Sequence, residues 1–196
     1  MVSVVQIGVD HELAHRANKF HFLLGALDSI KGFNTHLAYD HVHGHHRYVA
    51  TPEDATTSHF GQSFYTFAPK AFKQMWVNVY KREKSLGKPF FLNFAFLTVV
   101  FYAAATYAVR MQYSWFTAFL FFFQATFCHF YAIAINYVQH YGLMRQKLPN
   151  GEYERVRRWH SWDAPHRFSN YLFLKQERHS DHHENCLKPY QTLSAS

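Results

Sequence analysis

Two long stretches without charged residues dominate the hydrophobic pattern of the chain, at residues 90–109 and 113–137. A helix needs roughly 20 residues to cross the ~30 Å hydrocarbon core of a bilayer, so both stretches are long enough to span it. A buried helical hairpin inside a large soluble protein would show the same pattern, but a chain of 196 residues is too short to enclose two such helices on every side. The pattern therefore predicts an all-α integral membrane protein with two transmembrane helices.

The rest of the chain is predicted to form shorter helices and polar loops, and no linker divides it, so residues 1–196 are expected to form a single domain. Apolar periodicity and helix breakers predict a helix over 2–31 interrupted near Gly25, a short helix over 35–47, a polar loop over 50–63, an amphipathic surface helix over 64–86, a polar loop over 147–169 and a helix over 170–183. The apolar residues 2–9 are typical of the last turns of a spanning helix, so we expect the chain to be truncated at its N-terminus.

Lysine and arginine placement predicts the orientation of the two spans. Basic residues crowd the segments before the first span and after the second, whereas the link between them carries only Arg110. Because positive charge favours the cytoplasmic side, both flanks are expected there, in the inner membrane of a bacterium or the endoplasmic reticulum of a eukaryote. The net charge of +7 is then expected to favour binding to anionic membrane lipid. Because the sequence has no nucleic-acid recognition motif, we expect no nucleic-acid partner.

Histidine is abundant and clustered in this chain. There are 16 histidines but only 2 cysteines, which excludes a disulfide scaffold, a cysteine-rich zinc domain and an iron–sulfur protein. Residues three or four apart share one face of a helix, and neutral imidazole binds late first-row metals well. The clusters therefore predict a site for two metal ions. Its candidate ligands are His11, His15, His41, His45, His46, His140, His179, His182 and His183.

The first cluster also fits a different class of site. His11-Glu12-Leu-Ala-His15 matches H-E-x-x-H, in which two histidines hold zinc and the glutamate is the general base of a metalloprotease. One catalytic zinc takes three protein ligands, which would leave most of the clustered histidines without a role. A two-metal site accounts for more of the sequence, and the zinc protease stays as an alternative.

The spacings H-x3-H, H-x3-HH and H-x2-HH resemble the histidine boxes of membrane fatty-acid desaturases and hydroxylases. Four segments narrow the resemblance to the membrane alkane monooxygenases. HELAHR is similar to that family's HELxHK, DHVHGHH to its EHxxGHH and NYVQHYG to its NYxEHYG, while RHSDHH matches its last box. The segments VATPEDATTSHFGQSFYTF and GLMRQKLPNGEYERV agree as well.

The resemblance implies that the nine histidines bind two non-haem iron ions, which activate dioxygen to hydroxylate the terminal carbon of a medium- or long-chain alkane. An unactivated C–H bond needs such a cofactor because side chains cannot supply the oxidant. The sequence has no motif for a flavin, a nicotinamide or a rubredoxin-type iron. Electrons are therefore expected from a separate rubredoxin or ferredoxin with its NAD(P)H-dependent reductase. A related membrane fatty-acyl desaturase or hydroxylase is the alternative.

Further residues are expected to contact the ligands because of their places in these motifs or on the same helix: Glu12, Asp40, Gln139, Asp181 and His129. Asp40 and Gln139 stand where the family pattern has glutamate, and such groups can accept a hydrogen bond from the far nitrogen of a ligating imidazole. His129 precedes His140 by three helical turns. The other histidines are expected to lie at the surface or beside the site, with His43 at a variable position: His21, His36, His59, His160 and His166.

Two other sets of residues are assigned from their positions. A stripe on the second span is expected to line a substrate channel: Phe116, Leu120, Phe123 and Phe127. Three cations after that span are expected either to dock an acidic electron carrier or to bind anionic lipid headgroups: Arg155, Arg157 and Arg158.

Overall fold

The fold is built from helices. The computed structural model describes residues 2–16, 18–164 and 166–195. Within these ranges, the only β-type pairing is an isolated antiparallel bridge between Lys147 and Tyr153. A π-helical turn, His41–His45, joins two short helices of the second histidine cluster. The helices are α1 Val2–Ala14, α2 Lys19–Asp28, α3 Thr35–Asp40, α4 His46–Tyr48, α5 Phe64–Ser85, α6 Phe94–Gln112, α7 Trp115–Gln139, α8 Arg167–Leu172 and α9 His179–Glu184.

α6 and α7 form the helical hairpin that the apolar pattern predicts. The side chains of Asn93 and Ser114 cap these helices, accepting hydrogen bonds from the backbone of Ala95 at 2.9 Å and of Thr117 at 3.1 Å. The helices begin a few residues later than the apolar stretches because residues 90–92 form a separate 3-10 turn and Ser114 is the cap. Each helix is long and apolar enough to cross a bilayer.

The N-terminal helical region is interrupted earlier than predicted. α1 ends at Ala14, and the side chain of Asn18 starts α2 by accepting a hydrogen bond from the backbone of Phe20 at 2.9 Å. Gly25 lies inside α2, at the point where α1 and α2 cross. A Cβ atom at this position would stand 2.9 Å from Cβ of Leu13, so the glycine is explained by close helix packing and not by a helix end.

The predicted continuous helix over 170–183 is wrong. α8 ends at Leu172, and α9 begins at His179. Between them Leu174 and Lys175 have φ angles of 51° and 55°, a left-handed conformation that cannot continue a right-handed helix. The resulting turn redirects the chain, and the three histidines of α9 become buried.

α3, α5 and α7 pack around the main apolar core. Phe67, Met75 and Ile133 lie at its centre and are at most 2% exposed. α5 packs against both α3 and α7, whose C-terminal ends lead into His41 and His140. At these ends the rings of His45 and His140 come within 4.9 Å of each other, centroid to centroid.

Candidate metal centre

The nine clustered histidines converge from distant parts of the chain into two adjacent groups. Each member offers one ring nitrogen that lies within 4.8 Å of those of the other members of its group. They lie on or directly after α1, in the π-helical turn and α4, directly after α7, and on α9. The first group contains His11, His15, His41, His46 and His182, and the second contains His45, His140, His179 and His183.

The π-helical turn decides which histidine joins which group. The backbone N–H of His46 donates to the carbonyl of His41, five residues earlier, as in a π-helix. His46 therefore lies beside His41, with their Nε2 atoms 3.0 Å apart. His45 reaches the second group, where its Nε2 is 3.2 Å from Nε2 of His183, while its ring also stacks on that of His41 with the centroids 5.3 Å apart.

In both groups the ring nitrogens of different histidines point toward one another. In the first group Nε2 of His182 is 3.0 Å from Nε2 of His46, and in the second Nε2 of His179 is 3.0 Å from Nε2 of His140. Nε2 of His15 is buried and has no hydrogen-bond partner among the described residues. Imidazole lone pairs that converge in this way are arranged as in a protein site for a metal ion.

Burial favours the neutral form of His140, His41 and His179. It lowers the pKa of His140 to about 3, and nearby His45 contributes in the same direction. Burial and neighbouring imidazoles also hold the pKa values of His41 and His179 well below the ordinary histidine value. Neutral imidazole is the form that binds metal. Within the described part of the chain each group offers only nitrogen donors, which suits late first-row divalent ions such as iron or zinc better than magnesium or calcium.

Asp54 orients one candidate ligand, and none of the sequence motifs assigns it this role. Its carboxylate is 2.9 Å from Nδ1 of His45, which leaves Nε2 of that ring facing the second group. Thr56 and Thr57 donate hydrogen bonds to the same carboxylate at 3.0 and 2.6 Å. Burial alone would raise the pKa of Asp54, but His45 and the threonines hold it at about 2. The sequence signal is modest, since an aspartate followed by hydroxyl residues in a polar loop is typical of any such turn.

Asp40 does not contact a ligand in the way predicted. Its carboxyl group is buried against Gly44, where any Cβ atom would clash with Oδ1 of Asp40. Burial, and then nearby Asp54, raise the pKa of Asp40 to about 7. Within the described ranges no hydrogen bond joins Asp40 to a clustered histidine. The absence of a side chain at Gly44 therefore leaves room for this carboxyl group beside the π-helical turn.

Gln139, Glu12 and His129 also lack a hydrogen bond to the clustered histidines in the part of the chain that is described. Gln139 donates to a backbone carbonyl at 3.5 Å, and Glu12 pairs with Arg16. His129 is fully buried, and its Nδ1 donates to Oδ1 of Asn34 at 2.6 Å. Among the described residues none of the three is hydrogen-bonded to a candidate ligand, which corrects their predicted role.

His140 is oriented instead by the loop that follows α7. Its Nδ1 is 3.4 Å from both the carbonyl oxygen of His160 and the hydroxyl of Ser161. His160 is itself buried, and its Nδ1 accepts a hydrogen bond from the backbone of Arg157 at 3.0 Å. His160 thus supports the centre through its backbone, a role that the sequence does not distinguish from that of the other scattered histidines.

Asp181 anchors α9 and does not hydrogen-bond to the histidines beside it. It is fully buried and accepts hydrogen bonds from Arg158 at 2.8 Å, from Lys188 at 2.6 Å and from the backbone of Ser194 at 2.8 Å. Burial alone would raise the pKa of Asp181, but these donors hold it well below the ordinary value. Arg158 also pairs with Glu184, so this arginine stabilises α9 instead of standing free to dock a partner.

An apolar cavity of about 430 Å³ lies beside the two groups. His11, His41 and His179 form part of its wall, and most of the remaining wall comes from α1, α3 and α7. α7 contributes a face that includes Ala132 and Ile135. The predicted channel stripe does not reach this cavity, because its side chains lie on the outside of α7 and are 46% to 68% exposed: Phe116, Leu120, Phe123 and Phe127.

Comparison with known proteins identifies the family of the chain. The model of the family described as fatty acid desaturase matches residues 1–195. The chain belongs to the fatty acid desaturase family. The resemblance read from the spacing of the histidine boxes is thereby confirmed.

Named relatives of the chain are alkane 1-monooxygenases. It is 36% identical to alkane 1-monooxygenase 1 of Alcanivorax borkumensis, over 98% of this chain and 49% of that protein. It is 34% identical to alkane 1-monooxygenase 2 of Pseudomonas aeruginosa, over 98% of this chain and 53% of the relative. It is 33% identical to the alkane 1-monooxygenase of Ectopseudomonas oleovorans, over 98% of this chain and 50% of that protein. The chain therefore spans about half the length of the curated relatives that it matches.

Proposed function

We propose that this chain contains the metal-binding part of a membrane alkane 1-monooxygenase, in which each histidine group holds one non-haem iron ion. The observation that carries the proposal is the position of His11, His41 and His179 in the wall of an apolar cavity. A metal ion held by these histidines would lie beside a space that suits a hydrocarbon chain. The similarity to named alkane 1-monooxygenases supports the same substrate class.

Iron bound in this centre would supply dioxygen activation, which side chains alone cannot provide. One dioxygen, two protons and two electrons convert a terminal methyl group to a primary alcohol and one water. The chain's own residues hold the metal, and Asp54 and the carbonyl of His160 orient two of the ligands. The apolar cavity wall aligns the substrate chain and excludes water. Electrons would come from a rubredoxin or ferredoxin that an NAD(P)H-dependent reductase keeps reduced.

α6 and α7 are proposed to cross the membrane. The rest of the described chain covers only 17% of the most apolar part of α6 and 33% of that of α7, far less than it would cover in a soluble core. Exposed apolar surface of this extent suits lipid. The cations before α6 and after α7 favour the cytoplasmic side for the metal centre. A hydrocarbon substrate would then reach the cavity from the bilayer.

Metal content and reaction products test the proposal together. The chain, purified into lipid nanodiscs, should bind about two iron ions, one for each histidine group. With a carrier, a reductase, n-octane and ¹⁸O₂ it should form labelled 1-octanol. A single zinc ion without hydroxylation would support the H-E-x-x-H protease instead. Desaturation of an acyl substrate without alkane hydroxylation would support a fatty-acyl desaturase.

A further inference from the structure

An apolar groove of about 410 Å³ lies between α6 and α7, near the link that joins them. α6 lines it with one face from Val99 to Arg110, and α7 lines it between Trp115 and Phe122. The stretch from Val99 to Arg110 covers about 16 Å at ~1.5 Å per residue of helix. Among the described residues that line the groove, Arg110 is the only charged one. The groove is therefore a long apolar surface with a cation at one end.

Arg110 has no anionic partner in the described part of the chain. Its Nε is buried without a hydrogen-bond partner, and its guanidinium lies over the ring of Trp115, 4.6 Å from the centroid. None of the ion pairs among the described residues includes it. The sequence has no aspartate or glutamate between Glu83 and Glu152, so neither span can supply a carboxylate. A cation in apolar surroundings without an anion costs free energy, so Arg110 indicates an anionic group that comes from another molecule.

Aromatic residues around Arg110 place this end of the groove at the depth of lipid headgroups. Tyr107, Tyr113 and Trp115 are 65%, 68% and 73% exposed. Tyrosine and tryptophan side chains that face lipid concentrate at the boundary between the hydrocarbon core and the headgroups. In the proposed topology Arg110 therefore lies among the phosphate groups of the leaflet opposite the metal centre. From there the groove runs along α6 into the hydrocarbon region.

We propose that the groove between α6 and α7 binds an anionic phospholipid, with the phosphate paired to Arg110 and one acyl chain lying along the groove. This inference rests on the membrane topology in the proposed function and is independent of the iron chemistry. A guanidinium group pairs with two phosphate oxygens at once, and net negative charge on the headgroup strengthens the attraction. An apolar helix in the groove would cover its walls but leave Arg110 without an anion, so charge favours the lipid.

Quenching of Trp115 fluorescence by brominated lipids tests the inference, because bromine quenches a tryptophan only at short range. The iron-loaded chain is placed in nanodiscs with brominated phosphatidylglycerol or brominated phosphatidylcholine at equal mole fractions. Subtracting the signal of Trp115→Phe in each background isolates Trp115. The wild type should prefer phosphatidylglycerol by roughly fivefold, the value of one cation near a membrane surface.

Variants of Arg110 show whether this cation causes the preference. Arg110→Gln should abolish it, and Arg110→Lys should keep part of it, because lysine retains the charge without the planar pair of donors. Lys84→Gln is the matched control and should keep the full preference. Lys84 also lies over an aromatic ring, 5.9 Å from the centroid of Tyr80, but it does not line the groove.

Iron content and helicity show whether the variants fold, and the wild-type comparison stands even if Arg110→Gln does not. Equal quenching of the wild type by both lipids, or a preference that survives in folded Arg110→Gln, overturns the lipid site. If neither lipid quenches Trp115, acrylamide in the aqueous phase separates two cases. Exclusion of acrylamide means that protein, such as a second copy of the chain, covers the groove, and this inference alone fails. Quenching by acrylamide means that the hairpin lies outside the bilayer, and the proposed membrane topology fails with it.

Discussion

Loss of Asp54 should weaken metal binding in the second histidine group and leave the first nearly unchanged. In Asp54→Ala, Nδ1 of His45 loses the carboxylate 2.9 Å away that keeps its Nε2 directed at His183. Removing the carboxylate partner of a ligating histidine costs about 10–100-fold in metal affinity. His45 supplies one of the four nitrogen donors of that group. We therefore expect its affinity for iron to fall by about 10–100-fold, or ~1.4–2.7 kcal/mol.

The assay is an anaerobic titration of the metal-free chain with Fe²⁺ against a competing chelator. The wild type should bind both equivalents of Fe²⁺ tightly, and so should Glu53→Ala, an exposed control in the same loop. Asp54→Ala should bind the second equivalent of Fe²⁺ weakly. Asp54→Asn should lie between them, because the amide accepts a hydrogen bond without the charge. Adding Asp54→Ala to His140→Ala, which already disables the second group, should cause little further loss. Equal weakening of both equivalents, or no weakening, would refute the role of Asp54.

Other residues give predictions of the same kind. His140→Ala should lower the bound iron by about half, whereas His43→Ala, outside both groups, should leave it unchanged. Mass spectrometry measures the bound metal, and equal loss of iron in the two variants would contradict the division into ligands and other histidines. Asp181→Ala should release the C-terminal segment from α9 and lower the free energy of unfolding by about 2–4 kcal/mol, less than for a fully buried pair because its cationic partners are partly exposed. Unchanged proteolysis after α9 would argue against this anchor. Glu83 is fully buried and accepts the backbone N–H of Phe94 at 2.5 Å, so Glu83→Ala should fray the start of α6 and cost about 1–3 kcal/mol, which Glu83→Gln should largely restore in thermal unfolding.

The ligand candidates are predictable from sequence because each histidine box depends on residue type and on the local geometry of one segment. His179, His182 and His183 share the short helix α9, and His11 and His15 lie four residues apart. Their division into two groups is not predictable in this way. It depends on the π-helical turn, in which His46 joins the group of His41 while His45 reaches the other group.

The residues that orient the ligands are harder to predict because they approach from other segments. Asp54 and Ser161 come from loops, and no spacing rule connects them to the histidines that they contact. Asp40 and Asp181 are adjacent in sequence to clustered histidines, but neighbouring residues of a helix point in different directions. Periodicity along α7 likewise identifies a stripe of aromatic side chains without showing which elements cover it, so the cavity wall is found only in the folded chain.

The π-helical turn at His41–His45 makes the two metal groups mechanically dependent on each other. His45 and His46 are consecutive residues, yet they belong to different groups. A single peptide bond therefore joins a ligand of one candidate ion to a ligand of the other. A rotation of the turn that moves His46 toward its ion also moves His45 relative to the second ion. A deletion of one residue within the turn would restore ordinary helical pitch and bring both side chains to the face of His41. The length of this segment is thus as constrained as the identity of its histidines.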